Sequence, residues 1–191
     1  MNYKEEISKE ELSQLPLKHF EGEIIVVNQK HDIRKAVDYL NKFDYLGFDT
    51  ETRPSFKKGQ VNNVALLQLS TNEKAFLFRL NYYELTEPLL ELLSNPRIIK
   101  AGAAIRDDIK ALQSNHFFEP GGFVELQEEA QNLGIQNFSL KKMSGIVLGF
   151  KISKAQQLSN WEAAELTEAQ LLYAATDAWI SFKIYENFIN N

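Results

Sequence analysis

The sequence predicts one mixed α/β domain, with antiparallel strands first and strand-helix units later. Three observations carry that expectation. Strand-like apolar segments gather at residues 23–27, 45–51, 63–70 and 74–80. From residue 84 the apolar residues fall at helical spacing, interrupted only by short apolar runs at 97–101 and 123–126. No repeat, low-complexity tract or linker divides the 191 residues, 44% of them hydrophobic and 12% aromatic, enough to bury a core without staples. The expected limits are a core at about 23–189 and an N-terminal helical extension over 1–22.

Taken in order, residues 8–15 (SKEELSQL) read as a short helix ended by Pro16. A first strand, EIIVV, follows at 23–27. Ile33, Ala36, Val37 and Leu40 then fall at i, i+3, i+4 and i+7, the stripe of an amphipathic helix. The segments at 45–51, 63–70 and 74–80 read as a three-stranded meander, with a hairpin at Thr71-Asn72-Glu73. A helix beginning near Glu84 puts Leu85, Leu89, Leu92 and Leu93 in phase ahead of Pro96. Residues 97–101 (RIIKA) suit a buried strand, Gly102 breaks it, and a helix covers 104–114. Residues 123–126 suit a further strand, and 139–148 a helix stopped by Gly149. After an irregular stretch at 151–161, a last helix starts from a capping box, Thr167 with Gln170, and a hydrophobic staple, Leu166 with Leu171.

Composition excludes several classes. The chain has no cysteine, so disulfides, thiol nucleophiles and cysteine zinc sites are out. Its N-terminus is charged, without a signal-like apolar core, and no apolar run nears the roughly 20 residues needed to cross a bilayer. The expectation is a soluble, cytoplasmic protein with no membrane partner. A formal charge of −5 argues against coating nucleic acid by bulk electrostatics, yet suits an enzyme with an acidic, metal-loaded centre and a few local cations for phosphates.

Chemistry-bearing residues recur on three elements. In YLGFDTET, strand alternation puts Asp49 and Glu51 on one face, Phe48 and Thr50 on the other. Two converging carboxylates suit Mg²⁺ or Mn²⁺; alone, they also fit a strand ending in a solvated acidic turn before Arg53-Pro54. In the helix after Gly102, Asp108 lies within the stripe of Ile105, Ile109 and Leu112, while Asp107 points to the flank. A carboxylate in an apolar stripe needs a metal or a cation, and Arg106 or Lys110 would serve as the latter. On the last helix Tyr173 and Asp177 are four apart and share a face, which by itself also describes an ordinary hydrogen-bonded pair. Ala174, Ala175 and Thr176 are small enough for that helix to approach a sheet closely.

Together, FDTET, KAGAAIRDDIKAL and LSNWEAAELTEAQLLYAATDAWISFKIY resemble the three motifs of the DEDD superfamily of 3′ to 5′ exonucleases, in the subgroup with tyrosine in the third motif. Among these the chain is most similar to the Werner-syndrome-type exonuclease domain, over roughly residues 23–189. The resemblance implies a ribonuclease H-like mixed sheet flanked by helices. It implies two divalent ions, Mg²⁺ or Mn²⁺, one held by Asp49, Glu51 and Asp177, the other by Asp49 with Asp108 acting largely through water. Tyr173 would orient the nucleophilic water. One departure is Asp107, where such enzymes often carry a small residue; helical phase and motif match both favour Asp108. The sequence shows no helicase region and no added C-terminal helical domain of the ribonuclease D kind.

The resemblance further implies contacts from Thr50 and Glu51 to a terminal 3′-hydroxyl. Arg53, Lys57, Lys58, Arg106, Lys151 and Lys154 are candidates for phosphate, although each taken singly reads more readily as a solvated surface charge. Trp161 is a candidate for stacking on a base, or for packing the loop before the last helix. His19, His31 and His116 match no motif. The expected partner is single-stranded or 3′-recessed DNA, with RNA as the alternative. A non-catalytic nucleic-acid-binding module on the same fold is a competing class, although all four acids and the tyrosine stand.

Overall fold

The structure is a computed structural model and describes residues 3–55, 62–114 and 116–190. Its centre is a six-stranded mixed sheet formed by β1 (Glu23–Val27), β2 (Tyr45–Thr52), β3 (Val64–Ser70), β4 (Lys74–Phe78), β5 (Ile99–Gly102) and β6 (Phe123–Glu125), in the order β1-β4-β3-β2-β5-β6. β2, β3 and β4 form the antiparallel meander, and β5 and β6 add in parallel beside β2. β1 lies outside the meander, parallel to β4 at the sheet edge.

Seven α-helices flank the sheet among the described residues: α1 (Lys9–Gln14), α2 (Lys30–Leu40), α3 (Glu87–Ser94), α4 (Ile105–Gln113), α5 (Leu126–Asn132), α6 (Leu140–Met143) and α7 (Glu168–Ile189). Strand alternation divides the core into two. Leu46, Phe48, Leu67, Leu69, Phe76 and Phe78 pack with the apolar stripes of α2, α3 and α4 on one face. On the other face α7 packs with Leu66, Leu77 and Trp161 at one end and with α5 and α6 at the other.

The capping box expected at the start of α7 is present in both directions, and Leu166 and Leu171 pack into one cluster there. The chain differs from expectation at three helices. α3 begins at Glu87 rather than Glu84, because Pro88 favours a first helical turn, and Leu85 is buried ahead of it. α5 was unforeseen: its seven residues, LQEEAQN, are too short to show a stripe. The helix expected over 139–148 is α6 followed by a π-helical turn, Ser144–Leu148, and Gly149 ends it at φ 72°. The N-terminal extension is tied down by Leu17, which bridges to Lys151, and by Leu12, packed against Gly145.

Candidate active site

β2 carries Asp49 and Glu51 on the face turned to α7, and α7 brings Asp177 against them. Carboxylate oxygens from the three residues lie within 4.8 Å of one another. What allows this is the contact of α7 with β2 at Gly47, where an added Cβ would meet the Ala178 carbonyl oxygen at 1.8 Å. Small residues on α7 were expected to permit close approach; the strand glycine is equally required, and a glycine inside a strand pattern is the signal for it.

Thr50 points to the opposite face, as alternation requires, and there its hydroxyl donates to Asp108 Oδ1 at 2.5 Å. Asp108 is half-buried, whereas the Asp107 side chain is 93% exposed and pairs with Lys110 at 3.1 Å. Arg106 pairs with Glu128, so neither cation neutralises Asp108. α4 is aimed by Glu125, whose carboxylate accepts from the Ala104 and Ile105 amides, both at 2.8 Å. Ala104 there adopts a left-handed φ of 62°, a conformation unfavourable for a residue with a side chain. Sequence reasoning missed Glu125, since a cap supplied from another strand leaves no local pattern.

The electrostatics follow from crowding. Burial, then the charges of Asp177, Glu51 and Asp108, drive the Asp49 carboxyl well above the usual carboxylate range. Burial, then Asp177 and Asp108, push Glu51 up to about 9. Burial raises Asp177 to about 7, against a hydrogen bond with Tyr173 and the charge of Lys154. Asp108 is raised chiefly by burial and lowered by its Thr50 bond. Burial and the neighbouring carboxylates raise the Tyr173 phenol too, so it stays protonated. Three carboxylates this close cannot all ionise without a compensating cation. Among the described residues Asp177 Oδ1 is buried without a hydrogen-bond partner. An all-oxygen donor set with an orphaned oxygen fits Mg²⁺ or Mn²⁺.

Residues 24–191 match the family model for the 3′-5′ exonuclease domain. The chain belongs to the 3′-5′ exonuclease family. The mouse (Mus musculus) bifunctional 3′-5′ exonuclease/ATP-dependent helicase WRN is 33% identical over 186 residues, covering 92% of this chain and 13% of that protein. DNA polymerase I of Aquifex aeolicus is 28% identical over 159 residues, covering 83% of this chain and 26% of that protein. The chain thus spans only a fraction of these relatives. The Escherichia coli RNase D structure shares the fold, with a TM-score of 0.78 at 22% identity over 88% of this chain and 44% of that one.

The remaining sites named from sequence are dispersed. Arg53 pairs with Glu162 at 3.2 Å, and Lys151 donates to the Ser13 carbonyl. Lys154 acts on Asp177, while Lys57 and Lys58 lie outside the described residues. Trp161 has no exposed surface and packs against Tyr173 with ring centroids 6.0 Å apart. Stacking on a base is therefore corrected to packing the loop, which the buried Arg79 holds by donating to the Ala163 carbonyl at 2.5 Å. Among the described residues no helix is long and apolar enough to cross a membrane.

Proposed function

We propose that the chain is a divalent-metal-dependent 3′–5′ exonuclease, hydrolysing phosphodiester bonds at nucleic-acid 3′ ends to nucleoside 5′-monophosphates. The observation that carries the reading is the convergence of Asp49, Glu51 and Asp177 within 4.8 Å, with the Tyr173 phenol one helical turn from Asp177 and acting on its carboxyl. A pair of cations, Mg²⁺ or Mn²⁺, would supply a water nucleophilic at neutral pH and neutralise the departing 3′-oxygen. Asp49, Glu51 and Asp177 would hold one ion; Asp49, with Asp108 acting through water, would hold the other. Tyr173, kept as a phenol, orients the attacking water and takes no proton from it. Thr50 and Glu51 would meet the terminal 3′-hydroxyl. Lys154 is the leading phosphate contact, ahead of Arg53, Arg106 and Lys151, whose bonds within the chain occupy them.

DNA is the favoured substrate, because a DNA polymerase is among the relatives at 28% identity. RNA is the alternative, since the Escherichia coli RNase D that shares the fold is an exoribonuclease. The test is incubation of 5′-labelled single-stranded DNA, 3′-recessed DNA and RNA with Mg²⁺ or Mn²⁺. The expected result is a ladder shortening from the 3′ end, fastest on DNA and absent with chelator. Intact substrate in every metal-containing arm would overturn the reading; a faster RNA ladder would overturn only the substrate choice.

A further inference from the structure

Gln68 on β3 stands directly opposite Asp49 on β2, so the two side chains leave the sheet on the same face, with Cβ atoms about 4.5–5.5 Å apart. Gln68 has no exposed surface, and among the described residues neither its Nε2 nor its Oε1 has a hydrogen-bond partner. A buried, unpartnered amide destabilises a fold, and an apolar side chain of the same length would pack there without that penalty. Stability therefore does not account for glutamine at this position. The row continues across the sheet from Gln68 to Leu77, which packs with Trp161 and Tyr173. On this face the Trp161 indole Nε1, like that of Trp179 on α7, is a buried donor without a partner among the described residues; Trp161 is the one that packs against Leu77, the neighbour of Gln68.

A carboxylate that ligates a metal through one oxygen is held in place by a donor on the other. Asp49 lies among carboxylates, its oxygen within 4.8 Å of those of Glu51 and Asp177. A neutral amide can orient such a group without adding a positive charge that competes with the cation. Resting on the exonuclease reading above, we propose that Gln68 is the positioning residue for Asp49: its Nε2–H donates to the carboxylate oxygen turned away from the metal, while Trp161 Nε1–H serves Gln68 Oε1. Gln68 Nε2, Gln68 Oε1 and Trp161 Nε1 are then paired in one chain running from the loop before α7 to the centre of the site.

The test compares wild type with Gln68→Met, which keeps the length and removes the hydrogen bonds; Gln68→Leu replaces it should the first variant not fold. Three quantities are measured: thermal unfolding in chelator, Mn²⁺ affinity by calorimetry in the absence of nucleic acid, and kcat and KM on a DNA oligonucleotide. The expected outcome is an unfolding temperature equal to or above wild type, Mn²⁺ affinity weakened on the order of 10- to 100-fold, and a lower kcat at unchanged KM. Wild-type Mn²⁺ affinity and kcat in the variant would overturn the proposal, as would losses that appear only together with a lower unfolding temperature. Wild-type protein that neither binds Mn²⁺ nor hydrolyses DNA overturns the exonuclease reading itself; an active wild type with an indifferent variant removes Gln68 alone.

Discussion

Gly47 and Ala178 are in backbone contact: a Cβ placed on Gly47 would lie 1.8 Å from the Ala178 carbonyl oxygen and 2.7 Å from the Phe182 nitrogen. Asp49 is two residues along β2 on the same face, and Asp177 precedes Ala178 on α7. The depth at which the helix sits on the strand therefore sets the separation of the two carboxylates. Gly47→Ala must push α7 outward, since backbone atoms cannot yield as a flexible side chain would. The expected cost is about 1–3 kcal/mol of stability, read by urea unfolding. Activity should fall by about 100-fold even where the variant is fully folded, because a displacement of about 1 Å at reacting groups costs that much. A folded variant with wild-type turnover would show that the contact does not set the site.

Asp49→Asn and Asp177→Asn separate catalysis from stability. Each replaces a carboxyl whose ionisation burial and mutual repulsion disfavour with a neutral amide that carries no such cost. Hydrolysis should drop by more than about 100-fold, the upper end for partners lying behind metal ligands. The metal-free fold should become more stable, not less. A denaturation midpoint in chelator below that of wild type would mean that the carboxylates hold the fold together, contrary to the crowding described above.

Asp108→Ala and Asp107→Ala test the second motif. Asp108 accepts from Thr50, beside the cluster, whereas Asp107 is exposed and pairs only with Lys110. The first substitution should lower both kcat and Mn²⁺ affinity; the second should leave the hydrolysis rate unchanged. Equal losses from both variants would show that α4 presents a different face in solution.

These residues also show what the sequence made legible. The acids were visible because period-2 and period-3.6 spacing each state which side chains share a face, and YLGFDTET and IRDDIKAL obey those periods. α7 was visible because Thr167 and Gln170 signal its start locally. Glu125 and Gln68 were not visible, because each acts across the sheet or between elements, and a contact between distant residues leaves no spacing to read. Trp161 was ambiguous for a related reason: an aromatic ring in a loop looks the same whether it meets a base or a core. Its complete burial against Tyr173 decides.

The last expectation concerns pH and metal together. Glu51 at about 9 and Asp177 at about 7 bind protons more tightly in the folded chain than in the unfolded one, where Glu and Asp titrate near about 4. Between those limits the metal-free native state carries more protons than the unfolded state, so its stability falls as pH rises. Lys100 works in the opposite sense but at higher pH. Its ammonium donates to the Leu92, Asn95 and Ile98 carbonyls, and burial lowers its pKa to about 8, so its effect, a gain in stability with pH, begins only near that value. Urea midpoints measured in chelator from about pH 5 to about pH 7.5 should therefore decline steadily. With saturating Mn²⁺ the decline should vanish or reverse, because the cation displaces the same protons and binds better as they leave. A chelated protein whose midpoint climbs across this window would contradict the raised carboxyls, and with them the reason for a metal to bind here.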